Sequence, residues 1–359
     1  MPARGHLTPH RGRRLARWLV LLAGLAALAL VLGSTDLKSA ALLCAAAGPI
    51  LILGLIPHAV QMGLDAAAWR ALLAAAGRRV AWRRLFAVRL STEAVVMSVP
   101  AGGVFAEGLK PYLVSRTDDV PYAETIATVA LKRTLLVSAQ VLYLTSALVL
   151  GGAVLARISP AVIGMEGLPW VVAGAIALLV AVALGFASMC FRVGGGRVHQ
   201  LLARLPVPAL VRWLEARRAG FDQADATFAA LGRDHRRLVV ALALLLGAWL
   251  TESAETWLLL RLVGVHLPVV QVLVMESCAV FVRNAVVFLP SGLGAQDLTY
   301  LGFLRALGVA GAAAAAPAFL ILKRAKELLW IGAGYLVLVA LTRERRASRL
   351  SAKVLEGAL

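Results

Sequence analysis

The stretch Val96-Met97-Ser98-Val99-Pro100-Ala101-Gly102-Gly103-Val104-Phe105-Ala106-Glu107 is an apolar run broken by proline and closed by a carboxylate. A second stretch repeats the plan: Val286-Val287-Phe288-Leu289-Pro290-Ser291-Gly292-Leu293-Gly294-Ala295-Gln296-Asp297. In both, glycine stands two residues after the proline and the carboxylate seven after it. Further along, Leu131-Lys132-Arg133 and Leu322-Lys323-Arg324 lie inside later apolar runs. The prolines are 190 residues apart and the two lysines 191. A duplicated helix break with charge inside apolar sequence is the pattern of membrane translocators, in which unwound backbone lines a central site.

The rest of the chain fits a membrane solvent. It is 60% hydrophobic and only 16% charged, with a mean hydropathy of +0.83, far from an ordinary soluble domain. Apolar windows cover 15–33, 41–64, 122–152, 169–190, 238–263, 270–289 and 312–342. A helix needs roughly 20 apolar residues to cross the ~30 Å hydrocarbon core, so several windows qualify. The net charge of +18 comes from basic residues set between these windows, which is a topology signal and an attraction to anionic lipid rather than a nucleic-acid footprint. Cys44, Cys190, Cys278 and the six histidines are scattered, without disulfide or metal-ligand spacing. There is no nucleophile–His–acid set and no cofactor motif, so neither an enzyme nor a cofactor is expected.

Basic segments mark the cytoplasmic face. Four stand out: the tail up to Arg17, 65–84, 191–237, and the tail after 342. By contrast 34–40, 153–168 and 264–269 carry at most one Lys or Arg each. All four basic segments reach one face only if 85–115 enters and leaves on the cytoplasmic side and 270–308 enters and leaves on the other. The expected fold is therefore an all-α, polytopic integral membrane protein built from two inverted repeats, with six full spans and two re-entrant broken-helix hairpins. Its parts are a cytoplasmic basic tail (1–14), repeat 1 (15–152, hairpin 85–115), an external loop (153–168), repeat 2 (169–342, with a cytoplasmic amphipathic segment within 191–237 and hairpin 270–308) and a second cytoplasmic basic tail (343–359). The run 15–33 is read as an uncleaved first span rather than a signal peptide. The location expected is a bacterial-type inner (plasma) membrane with both termini cytoplasmic.

Each charge at mid-bilayer costs about 2.5–3.5 kcal/mol on insertion scales and needs a reason. Near the first break are Arg89, Glu93, Glu107 and Lys110; the second half holds Glu252, Glu255, Glu276, Arg283 and Asp297, with Lys323, Arg324, Lys326 and Glu327 in the last span. The bland reading is mutual neutralisation, with Glu252 and Glu255 set against Lys323 and Arg324, and with Arg89 and Lys110 snorkelling. The recurrence of basic pairs in both halves favours a phosphate-bearing headgroup, gripped by Arg and attracted by Lys. On that reading the substrate-binding candidates are Lys132, Arg133, Arg283, Lys323, Arg324 and Lys326. Glu107, Asp297, Glu252, Glu255, Glu276 and Glu327 would gate or couple movement. The breaks are Pro100, Gly102, Gly103, Pro290, Gly292 and Gly294, whose glycines would otherwise serve only close helix packing.

The pattern resembles the flippase-like transmembrane domain of lysylphosphatidylglycerol synthases, on Val99-Pro100-Ala101-Gly102-Gly103 with Glu107 and on Leu289-Pro290-Ser291-Gly292-Leu293-Gly294 with Asp297. Membrane proteins of hopanoid clusters are similar, also at Leu322-Lys323-Arg324-Ala325-Lys326-Glu327-Leu328-Leu329. The resemblance covers about 15–342 and implies movement of anionic or polyprenyl-phosphate-linked lipid between leaflets. Val104 stands where members have an acidic residue soon after Gly-Gly, and Gln296-Asp297 where they tend to have Glu, which implies a changed headgroup preference. With the chain ending at Leu359, no soluble synthase domain is expected. A lipid translocase is thus the leading expectation. A non-transporting subunit presenting lipid to a synthase or glycosyltransferase is the alternative, and a membrane enzyme acting on lipid phosphate a third. Expected partners are membrane lipids, with a lipid-modifying enzyme or a second copy of the chain as further candidates.

Overall fold

Every regular element of the computed structural model is helical among the described residues, which are 52–115, 118, 120–193, 215, 218–286, 288–309 and 312–356. The expected span 15–33, the start of 41–64, and the linker with Gly194, Pro206 and Pro208 lie outside them. We number the helices α1 (Leu55–Ala75), α2 (Trp82–Ser98), α3 (Gly102–Ser115), α4 (Tyr122–Ile163), α5 (Leu168–Ser188), α6 (Arg218–Arg233), α7 (His235–Leu262), α8 (Val269–Ala285), α9 (Ala295–Ala306) and α10 (Ala312–Glu356). A π-helical turn, Met189–Val193, extends α5, and a 3₁₀ turn, Pro290–Gly292, precedes α9.

Among the described residues, four helices are long and apolar enough to cross a membrane: α4, α5, α7 and α10. They coincide with four of the six expected spans. Their exposed apolar side chains, such as Leu150, Trp170, Leu184, Val239 and Leu336, suit a lipid solvent. The paired helices α2/α3 and α8/α9 are shorter. At 1.5 Å per residue they measure about 26, 21, 26 and 18 Å, under the ~30 Å of a hydrocarbon core.

Local chemistry sets the helix starts and stops. Pro121 and Pro268 immediately precede α4 and α8, where a missing N–H and a fixed φ cost nothing. Asp234 caps α7 by accepting from the Arg237 N–H at 3.1 Å. α4 runs past the expected boundary at 152 and ends only where Gly164 turns left-handed at φ 74°. The 153–168 connection therefore shrinks to 164–167. Arg157 signalled a loop, but its neighbours Leu155 and Ile158 bury into the core and carry the helix onward. The basic tail after 342 likewise continues α10 as helix to Glu356.

The packing of the first four helices has a counterpart in α7–α10. α2 packs on α3 as α8 packs on α9, and α3 on α4 as α9 on α10. Across the halves, α10 packs on α2 and α4 on α8, while α1 packs on α7. Gly334 brings α10 against the α2 backbone at Leu90, and Gly151 brings α4 against Val274 of α8; a β-carbon at either would clash. The core is in three parts. One joins α8, α9, the start of α10 and the end of α4 around Met275, Tyr300 and Phe319. Another joins α1, α2, α3 and a later part of α10 around Trp69, Leu85 and Leu341. The third lies between them on α1, α4 and α7.

Candidate functional site

Both proline breaks form the same turn. The Gly102 N–H donates to Val99 O at 2.8 Å, and the Gly292 N–H donates to Leu289 O at 3.1 Å. The residue after each proline is left-handed: Ala101 at φ 56° and Ser291 at φ 53°, the two such non-glycine residues among those described. The glycines have a different task from the one expected of them. A β-carbon on Gly102 would sit 2.2 Å from Val95 O and 2.9 Å from Val96 Cα, while one on Gly103 would meet nothing within 4 Å. At Gly292, itself at φ 61°, a β-carbon would meet Arg283 Cγ at 2.8 Å. Gly102 and Gly292 thus let each turn fold back on the helix before it. Gly294, at φ 81°, starts α9 and donates its N–H to the Asp297 carboxylate at 2.9 Å.

The two turns line one cavity of about 230 Å³ between the halves. Gly102 and Gly103 form part of its wall, as do Leu289, Ser291 and Gly292. Six Lys or Arg side chains and five carboxylates also line it, so the wall is close to neutral rather than strongly basic. Of the substrate-binding candidates, Arg133, Arg283, Lys323 and Lys326 line the cavity; Lys132 and Arg324 do not. Of the gating candidates, Glu107, Glu252 and Glu327 line it, whereas Glu255, Glu276 and Asp297 are buried behind it.

Nearly every cation has a carboxylate. Lys132 donates to Asp65 at 2.5 Å, and Arg89 lies 3.1 Å from Asp65 and also pairs with Glu93. Lys110 donates to Glu107 at 2.9 Å. Arg283 donates to Glu252 at 2.5 Å, Lys326 pairs with Glu255, and Arg324 bridges Asp297 at 2.7 Å and Glu327 at 2.5 Å. The partners expected for Glu252 and Glu255, Lys323 and Arg324, are taken elsewhere. Lys323 serves a hub of four helices. It donates to Tyr300 Oη at 2.5 Å, to Thr256 Oγ1 at 3.2 Å and to Glu276 at 3.3 Å, while Tyr300 and Thr256 both donate to Glu276. The ammonium also lies 4.6 Å from the centre of the Tyr300 ring, a cation–π distance. Arg133 differs from the rest: it is exposed, lines the cavity and has no ion-pair partner among the described residues.

The lining residues of α1, His58, Gln61 and Asp65, are not among the site candidates read from the sequence. The apolar window ends at Leu64, so Asp65 and Arg70 read as the start of a cytoplasmic loop, yet α1 continues to Ala75. The available signal was a spacing of i, i+3, i+7, one polar stripe on a helix.

A family model of the lysylphosphatidylglycerol synthase TM region matches residues 17–322. The chain belongs to this family. Membership carries a membrane location and a function concerned with lipid. The match to the lysylphosphatidylglycerol synthase region takes in both turns and stops one residue before Lys323. No curated protein matches the chain.

Proposed function

We propose that the chain is a lipid translocase that moves a phosphate-bearing lipid headgroup between leaflets through the cavity joining two inverted repeats. The observation that carries this reading is the meeting of both proline turns at one polar cavity, with Arg133 at its wall and no ion-pair partner for it among the described residues. Irregular backbone is tolerated at membrane depth only where protein or water surrounds it, and the cavity supplies that setting. The paired packing of α1–α4 and α7–α10 supports the repeat, and the short hairpin helices support re-entry rather than crossing. Arg133 offers the phosphate a guanidinium fork that no described carboxylate holds in an ion pair. The paired cations come next: a headgroup moving inward exchanges with their carboxylates, so passage never strands a bare charge in hydrocarbon. Lys132, Arg324 and the Glu276 hub hold helices together behind the wall. Glu107, Glu252 and Glu327 are the carboxylates placed to be displaced by the headgroup.

Purified protein in proteoliposomes with a labelled anionic phospholipid tests the reading. Transbilayer movement is expected, and Arg133→Ala should slow it by about tenfold or more, the scale of one charge-assisted hydrogen bond. Lipid binding without movement by the purified chain would favour a subunit that presents lipid to a partner enzyme. Movement unaffected by Arg133→Ala would remove that residue from the path.

A further inference from the structure

We propose that His58 is a proton-binding site whose occupancy links the two halves, and that the proton bound there is the ion coupled to lipid movement. This coupling rests on the translocase reading; the proton site itself does not.

His58 is 5% exposed and lies on α1, in the wall of the cavity. Its Nδ1 is 3.6 Å from Glu255 Oε2 on α7, and its Nε2 is 4.0 Å from Glu93 Oε1 on α2. Nε2 is buried and has no hydrogen-bond partner among the described residues. The Trp330 ring of α10 lies 5.5 Å away, centre to centre, and its Nε1 likewise has no partner among the described residues. A buried imidazole with a carboxylate beyond each ring nitrogen, and one of those nitrogens unpaired among the described residues, is a poor structural strut, because an unpaired buried polar atom is destabilising. It is a good proton acceptor, because an imidazolium there would face carboxylates on both sides.

The surrounding charges make the step finely balanced. Glu93 is held by Arg89 on α2, and Glu255 by Lys326 on α10. Glu252 on α7 is engaged by Arg283 of α8, and Asp65 on α1 by Lys132 and Arg89. Glu327 of α10 is engaged by Arg324. Each carboxylate near His58 thus has its own cation, and burial alone opposes a further charge. Proton addition uses only the Nε2 lone pair and breaks no covalent bond. Once protonated, His58 donates toward Glu93 in the first half and Glu255 in the second, tightening the seam on which both turns sit. Loss of the Nε2 proton frees Glu93 for Arg89, while the remaining Nδ1–H stays directed at Glu255. A headgroup that recruits Lys326 or Arg89 would release the carboxylates to His58, so lipid and proton would favour each other's binding.

The test uses the full chain in lipid nanodiscs with ¹⁵N-labelled histidine, the His58 signal being assigned by its loss in His58→Gln. The expected result is a His58 signal that changes reversibly in a titration run from about pH 5 to about pH 8, with proton binding weakened by about threefold or more in Glu255→Gln. A His58 signal unchanged across that range, or indifferent to both Glu255→Gln and Glu93→Gln, overturns the proposal. In proteoliposomes, an imposed pH gradient should alter lipid movement in the parent protein and in His235→Gln, an exposed control, but not in His58→Gln. A gradient response retained by His58→Gln overturns the coupling. Titration of His58 with no lipid movement by the parent protein keeps the proton site and overturns the translocase.

Discussion

A left-handed backbone at a residue bearing a β-carbon costs about 1–2 kcal/mol, and Ala101 and Ser291 both carry it, one residue after a proline. Neither residue type announces such a conformation, so the strained position was hidden in the sequence while the neighbouring glycine drew attention. Ala101→Gly should relieve the strain and raise the midpoint of thermal unfolding, measured in detergent. If the strain holds the turn open to the cavity, the same change will slow lipid movement. The glycines give a sharper contrast. Gly102→Ala drives a methyl into the Val95 carbonyl and should cost about 1–3 kcal/mol, whereas Gly103→Ala meets open space and should be close to neutral. Equal melting temperatures for these two variants would contradict the turn geometry. Glu276 is fully buried and answers to Lys323, Tyr300 and Thr256. Glu276→Ala leaves an uncompensated ammonium and should cost about 3–5 kcal/mol. The double variant Glu276→Leu with Lys323→Met should recover much of that loss in the same melting assay.

Between elements, the lysines show how far the two halves have diverged. Lys132 of α4 reaches Asp65 of α1, and Lys323 of α10 reaches Thr256 of α7, each across the same separation of 67 residues. In the first half the lysine's charge is met by that contact; in the second it is met by Glu276 from α8. Asp65→Asn should therefore destabilise more than Thr256→Val, because the former leaves Lys132 without its carboxylate while Lys323 keeps Glu276. Thermal melting of the two variants decides this, and a larger loss for Thr256→Val would contradict the pairing. The helices themselves were legible in the sequence, since long apolar runs have few alternatives in lipid. The recurrence of Pro-X-Gly at 100 and 290 located both turns. The ion pairs were not legible, because pairing across helices depends on rotation and register that no single run encodes. Glu252 and Glu255 share a helix face as expected, yet their partners come from α8 and α10 rather than from neighbouring positions on one helix. α1 was cut short because one carboxylate in an apolar run looks like an ending; buried against Lys132 and Arg89 it is an interior residue.

For the molecule as a whole, the two hairpins and two long crossing helices make a closed circuit, in which each half's hairpin is clasped by the other half's last helix. On the translocase reading, one half would rock against the other around the shared cavity, as inverted repeats do when they alternate access. Both halves bring charge to the cavity, Asp65, Arg89, Glu93 and Lys110 from the first and Glu252, Arg283, Lys323, Lys326 and Glu327 from the second, while Glu276 and Tyr300 are buried behind it. Composition made the membrane class plain, and the basic segments specified a topology, but only sidedness measured at the hairpin ends can join the two. With Cys44, Cys190 and Cys278 replaced, single cysteines at Ser115 and Leu307, at the exits of the two hairpins, should be labelled by a membrane-impermeant thiol reagent from opposite faces of the membrane: Ser115→Cys from the cytoplasm and Leu307→Cys from the exterior. Labelling of both from the same face would contradict the inverted repeats and, with them, the cavity's role as a path for lipid.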